Sequence, residues 1–143
     1  MRLWHKDLIP VLPRLQLLSL WRECCCVAKS ISLYNTPNHI LVNKIIDYPL
    51  SHFEAYSMWV YREMQNRGYK VNKNNFFKWF PYIDKQVITY QEMFSDWHSD
   101  RYLTQCYYNL QEKHDCGGIS DEEWQQIEKF IQLRDIKRDI YWT

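Results

Sequence analysis

Apolar residues return at helical spacing in four stretches of the chain, and each stretch carries its own start or stop signal. In RLQLLSLWRECCCVAKSI, residues Leu17, Leu18, Trp21, Cys25 and Ala28 recur every three or four positions, the repeat that lines one face of an α-helix. Pro13 stands just ahead of them, where a helix tolerates a missing N–H. The second stretch opens at Ser51-His52-Phe53-Glu54, a capping-box pattern, and runs through AYSMWVYREMQNR. It stops at Gly68, a residue that takes the left-handed conformation with which helices end. A third helix is expected from about Ser99 to His114, closed by Cys116-Gly117-Gly118. Ser120-Asp121-Glu122-Glu123 is a second capping box, and it starts a fourth helix with Trp124, Ile127, Phe130, Ile131 and Leu133 on its apolar side.

Between the first two helices, YNTPNHILVNKIIDYP reads as a loop with a short helix in it. Residues 69–98 are aromatic and irregular; Val87-Ile88-Thr89-Tyr90 has the composition of a strand, without an evident partner strand. No internal repeat or low-complexity linker interrupts the chain. The pattern therefore predicts an all-α fold, with residues 1–143 as a single compact domain of about four main helices joined by irregular, aromatic-rich connections.

Composition adds to this picture. A chain of 143 residues with 17% aromatics and only 3 Gly buries a real core and is not disordered. No run of roughly eighteen apolar residues is present, and the charge at Arg2 is not followed by the long apolar run of a signal peptide. A cytoplasmic protein away from membranes is the expectation. Net charge is +1, unevenly spread: residues 1–85 carry 12 Lys+Arg against 6 Asp+Glu, whereas residues 86–143 carry 6 against 11. A basic front and an acidic back suit a face that meets phosphates, though ordinary uneven surface charge has the same signature.

Five cysteines do not make a metal site. Cys24, Cys25 and Cys26 are consecutive, so on a helix they point in directions about 100° apart. Cys106 and Cys116 lack CxxC spacing, and the His114/Cys116 pair has no second pair beside it. Reduced thiols packed as small hydrophobes are expected, with no metal or other cofactor.

The pair Arg22-Glu23 interrupts the apolar first helix. It reads either as a solvated face or as a carboxylate lining a pocket, where desolvation raises its pKa toward proton-transfer range and Arg22 holds a phosphate or carboxylate. No Gly-x-Ser-x-Gly, DxD or phosphate loop supplies a partner nucleophile, and the five histidines are scattered. The α-amino group remains. With an unperturbed pKa of about 7.7–8.0, against about 10.4 for lysine, it is partly free base at neutral pH and can form a Schiff base with a sugar carbon. It must be ordered to do so, and Leu3 and Trp4 are placed to pin it to the core.

The opening MRLWHKDLIPVLPRLQLLSLWREC resembles the N-terminus of the pyrimidine-dimer DNA glycosylases, the T4 endonuclease V-like proteins, and especially a bacterial branch of them. Arg2 directly after the first residue, Leu17-Leu18 and the aromatic-Arg-Glu of Trp21-Arg22-Glu23 carry the likeness; Asn38-His39 and Asn66-Arg67-Gly68-Tyr69 extend it to about residue 72. The resemblance implies an all-α fold and a bifunctional glycosylase and AP lyase acting as a monomer on damaged double-stranded DNA, without a cofactor. It implies that the amine of the first residue attacks C1′ of the damaged nucleotide, and that Glu23 handles the protons and the opening of the sugar ring before β-elimination cleaves the strand. The implied catalytic residues are thus Met1 and Glu23, and the implied DNA contacts are Arg2, Arg22, Arg14 and His39. The pattern departs from the phage enzyme where that protein has a Thr amine exposed by removal of Met: here the bulky Arg2 leaves Met1 as the expected nucleophile. Gln16 and Cys26 stand where the phage enzyme has His and Arg. Two other classes compete: a non-catalytic nucleic-acid-binding module with the same fold, and a protein-interaction domain using the acidic tail. Trp59, Trp79, Trp97 and Trp124 are assigned to the core.

Overall fold

The computed structural model describes residues 2–80 and 87–134. Five α-helices succeed one another: α1 (Arg14–Tyr34), α2 (Leu50–Asn66), the single turn α3 (Asn74–Phe77), α4 (Asp100–Asp115) and α5 (Asp121–Leu133). Two 3₁₀ segments, Lys6–Val11 and Asn43–Asp47, complete the regular structure. No strand occurs among the described residues, so the all-α expectation holds. The Val87–Tyr90 stretch is no strand; its last carbonyl is instead held by the Lys6 ammonium. Among the described residues no helix is long and apolar enough to cross a membrane.

α1 packs on α2 and α3, and α4 on α5, while the Lys6–Val11 turn packs against both α2 and α5. The buried stripe of α1 is Leu17, Leu20, Trp21, Cys24, Val27, Ala28 and Ile31. It is rotated from the expected stripe: Cys24 and Leu20 take the core, and Cys25 and Leu18 sit half-buried at its edge. Trp97 is buried, whereas Trp59, Trp79 and Trp124 are half-buried against the core.

The helix ends explain most of the boundaries. Gly68 ends α2 at φ 78°, with the Tyr69 N–H reaching back to the Met64 carbonyl (2.9 Å), as a Schellman turn requires. Ser99 caps α4 by accepting from the Tyr102 N–H (3.3 Å). The capping box read at Ser51 is corrected: α2 starts one residue earlier, after Pro49, whose fixed φ sets the entry. Ser51 is therefore inside the helix, and its hydroxyl is buried without a partner.

At Ser120 the cap is present, while the Glu123 carboxylate accepts from the Ser120 hydroxyl (3.1 Å) and turns to α1. Ser120 Oγ accepts from the Glu123 N–H (3.2 Å), and Glu123 Oε2 accepts from the Arg14 N–H (2.7 Å). Arg14 begins α1, whose own N-cap, Pro13, offers no side-chain acceptor, so α5 caps α1. Ser120→Ala is expected to cost about 1 kcal/mol in urea unfolding, the usual loss for an N-cap. An unchanged urea midpoint would show that the cap carries no stability.

Candidate active site

Residues 3–6 run between the helices, enclosed by them. Leu3, Trp4, His5 and Lys6 are all buried. The carbonyls of Leu3, Trp4 and Lys6 are taken up by side chains of the helices. The Tyr102 hydroxyl of α4 donates to Leu3 O, the Tyr56 hydroxyl of α2 to Trp4 O (2.5 Å), and Trp59 Nε1 to Lys6 O (3.0 Å). The Lys6 ammonium donates to the carbonyls of Tyr90 and Met93, tying the 87–98 connection to the same segment. Arg67 adds a clamp on the turn that follows: its guanidinium reaches Leu12 O (2.8 Å) and Pro10 O (3.2 Å). Leu3 and Trp4 thus pin the chain start as their apolarity predicts.

Two histidines lock the segment to the end of the 87–98 connection. His5 Nδ1 accepts from the Asp7 N–H (3.0 Å), so its proton sits on Nε2, which donates to His98 O (2.8 Å). His98 Nδ1 in turn accepts from the Lys6 N–H (2.9 Å). Both rings are held neutral. Burial lowers the His5 pKa to about 4 and drives that of His98 well below the ordinary range.

This threading delivers Arg2 to Glu23. The Arg2 N–H donates to Glu23 Oε2 at 3.2 Å, across 21 residues of sequence. Glu23 is half-buried and lines a cleft of about 350 Å³, whose other walls include Trp4, Gln16, Ser19, Asn109 and Lys113. Burial raises the Glu23 carboxyl above an ordinary glutamate, while the Arg2 N–H, His39 and Lys113 pull the other way. A half-desolvated carboxylate held by one backbone donor is suited to taking up and releasing a proton.

The expected site residues divide. Glu23 and Arg2 meet in the cleft, with the Arg2 guanidinium carbon 5.9 and 5.8 Å from the Trp4 and Tyr102 ring centroids. His39 is half-buried, its ring accepting from the Leu41 N–H (3.2 Å), and it is near enough for its charge to act on Glu23. Arg22 is exposed beside Glu23 and does not line the cleft. Arg14 also stays outside it, its guanidinium 5.9 Å from the Tyr69 ring centroid. Met1 lies outside the described residues. Cys24 and Cys106 are buried and Cys26 and Cys116 exposed; burial pushes the Cys25 thiol up to about 11. Among the described residues, no group of three or more His, Cys, Asp or Glu is placed to hold a metal ion.

Four polar wall residues were not singled out from the sequence as site residues: Gln16, Ser19, Asn109 and Lys113. Gln16 and Ser19 share a helical face with Glu23, seven and four positions before it, and that polar spacing on an apolar helix was the available signal. Gln16 Oε1 is enclosed and unpaired at the cleft wall. Asn109 and Lys113 come from α4 and had no such local signal.

A helical protein with a carboxylate cleft at its own chain start belongs to a recognisable kind. A family model described as pyrimidine dimer DNA glycosylase matches residues 1–76, the segment that contains Arg2, Glu23 and the Arg67 clamp. The match covers more than half of the chain, and the chain belongs to that family, which places it among the DNA repair glycosylases with damaged DNA as its partner. Comparison with curated proteins and with solved structures returned no match.

Proposed function

We propose that the protein is a glycosylase and AP lyase whose nucleophile is the α-amino group of residue 1, and that all 143 residues act as one monomeric domain. The observation that carries the reading is the 3.2 Å hydrogen bond from the Arg2 N–H to Glu23. Residue 1 is joined to that same nitrogen, and bond lengths alone keep its amine within about 4 Å of it. A nucleophile tethered this close to an acid–base group loses little entropy in reaching the reacting carbon.

The free amine attacks C1′ of the damaged nucleotide as the bond from C1′ to the base breaks, and the base leaves with that electron pair and takes up a proton from water. The Glu23 carboxylate takes a proton from the newly attached nitrogen and gives it to the ring oxygen as the C1′–O4′ bond opens, leaving a protonated imine between C1′ and the amine. The Glu23 carboxylate, ionised again, then takes a proton from C2′, the C3′–O bond breaks as the 3′ phosphate leaves with its electron pair by β-elimination, and water releases the enzyme from the imine. Arg2, between Trp4 and Tyr102, is placed to hold the backbone beside the lesion. The deoxyribose is within reach only if the nucleotide is turned out of the stack. A pyrimidine dimer is the proposed lesion, in line with the matched family.

Borohydride trapping tests this. Protein with a free residue-1 amine is expected to form a covalent adduct on UV-irradiated and on abasic duplexes, and an N-terminally extended form to give none. Equal trapping of the extended form would reassign the nucleophile to a side chain. Binding without any trapping would leave a nucleic-acid-binding module in the glycosylase's place.

A further inference from the structure

The family match ends at residue 76, yet a helix beyond it forms one wall of the Glu23 cleft. Arg101, Gln105, Asn109 and Lys113 follow one another at intervals of four along α4 and so make a single stripe. All four are exposed, and each lines either the Glu23 cleft or a larger hollow of about 780 Å³. The two hollows share Arg2, Leu41 and Asn109, so they meet around Arg2. Helical rise sets the ends of the stripe about 18 Å apart.

The chemistry of the stripe is one-sided. Every member offers N–H donors and none is a carboxylate. Asn109 Nδ2 uses one of its donors on the Gln105 carbonyl (2.9 Å). Arg101 and Lys113 have no ion-pair partner among the described residues. Together the two hollows carry Arg2, Lys44, Arg101 and Lys113 against Glu23 and Asp96. This positive balance includes two of only 6 Lys+Arg in residues 86–143, a region that otherwise carries 11 Asp+Glu. A length of about 18 Å compares with about 3.4 Å per nucleotide along one strand, and so with about five nucleotides.

From this juxtaposition we infer that the α4 stripe is a track for the phosphodiester backbone of one strand of the damaged duplex, leading into the Glu23 cleft. Arg101 and Lys113 each neutralise a phosphate, while Gln105 and Asn109 bond to sugar–phosphate oxygens between them. The inference rests on the glycosylase reading, because the track is useful only if DNA enters that cleft.

The test compares Arg101→Gln/Lys113→Gln with Lys70→Gln/Lys129→Gln, which removes the same charge from exposed positions lining neither hollow. Affinity for an abasic-site duplex is measured against salt, with circular dichroism to confirm folding and borohydride trapping of the parent protein run alongside. The stripe variant is expected to lose about 1.8 from the slope of log affinity against log salt, or about 0.9 per phosphate contact. Its affinity would then fall roughly tenfold less than the parent's between about 50 and 200 mM salt. The control variant is expected to lose less than half a unit of slope. An unchanged slope in the stripe variant, or an equal loss in the control, overturns the track. If the parent traps DNA while the stripe slope stays put, the track alone falls. If the stripe slope drops but the parent never traps, the catalytic reading falls and the track stands.

Discussion

Glu23→Gln is expected to slow strand cleavage by about 10²- to 10⁴-fold, the range that a positioned general acid–base group supplies, with duplex affinity nearly intact. The amide keeps an oxygen to accept from the Arg2 N–H, so the chain start stays where it is. Stability should not fall, and the sign can be worked out. Burial raises the folded-state pKa of Glu23, so the folded protein holds this proton more tightly than the unfolded chain does. Such a group favours folding below its unfolded pKa and loses that contribution as pH rises through the folded value. At neutral pH the charged carboxylate is a liability that glutamine removes. Single-turnover cleavage, equilibrium binding and thermal unfolding at pH 7 together check this. A variant that loses binding in step with activity, or melts well below the parent, would make Glu23 a structural residue.

The second large effect is loss of stability in mild acid. His5 and His98 each have a ring nitrogen filled by a backbone N–H, from Asp7 and Lys6, so neither takes up a proton without breaking that bond. The Asp7 carboxylate favours a charged His5, but burial outweighs it, and Lys6 and Arg134 add positive charge nearby. For a histidine with a lowered folded pKa, stability is complete above about pH 6.5 and is lost as pH falls toward the folded value, here about 4 for His5. Each such ring removes up to about 1.4 kcal/mol per pH unit in that window. The urea midpoint should therefore fall steadily between pH 6.5 and 5, where most carboxylates are still ionised. A flat midpoint over that interval would mean that neither ring is held neutral by the fold.

The long helices were legible because their periodicity and terminal residues agree; Gly68 and Ser120 do what their positions suggest. Ser51 misled because a proline two residues earlier set the helix entry before any cap was needed. Arg2 and Glu23 were legible as chemistry, the latter as a carboxylate on an otherwise apolar helix. Arg22, and Arg14, which the resemblance alone named, lie outside the cleft, because neither adjacency to Glu23 nor a resemblance says which side of α1 faces it. The contribution of α4 was not legible, although its four-residue repeat is plain in the sequence. Nothing local reveals that residues 2–6 pass beside α4, and without that the stripe is simply a polar helix face.

That passage beside α4 also sets the order in which activity is acquired. The carbonyl of Leu3 waits for Tyr102, 99 residues later, and the Lys6 N–H for His98, 92 residues later. Contacts so distant along the chain close late and slow the search for the native state. During synthesis residues 3–6 are made long before the partners that fix them, and a nascent chain that has not yet reached α4 lacks the anchors of this site. Any later opening that detaches α4 undoes the same anchors, so a partly unfolded molecule is also an inactive one.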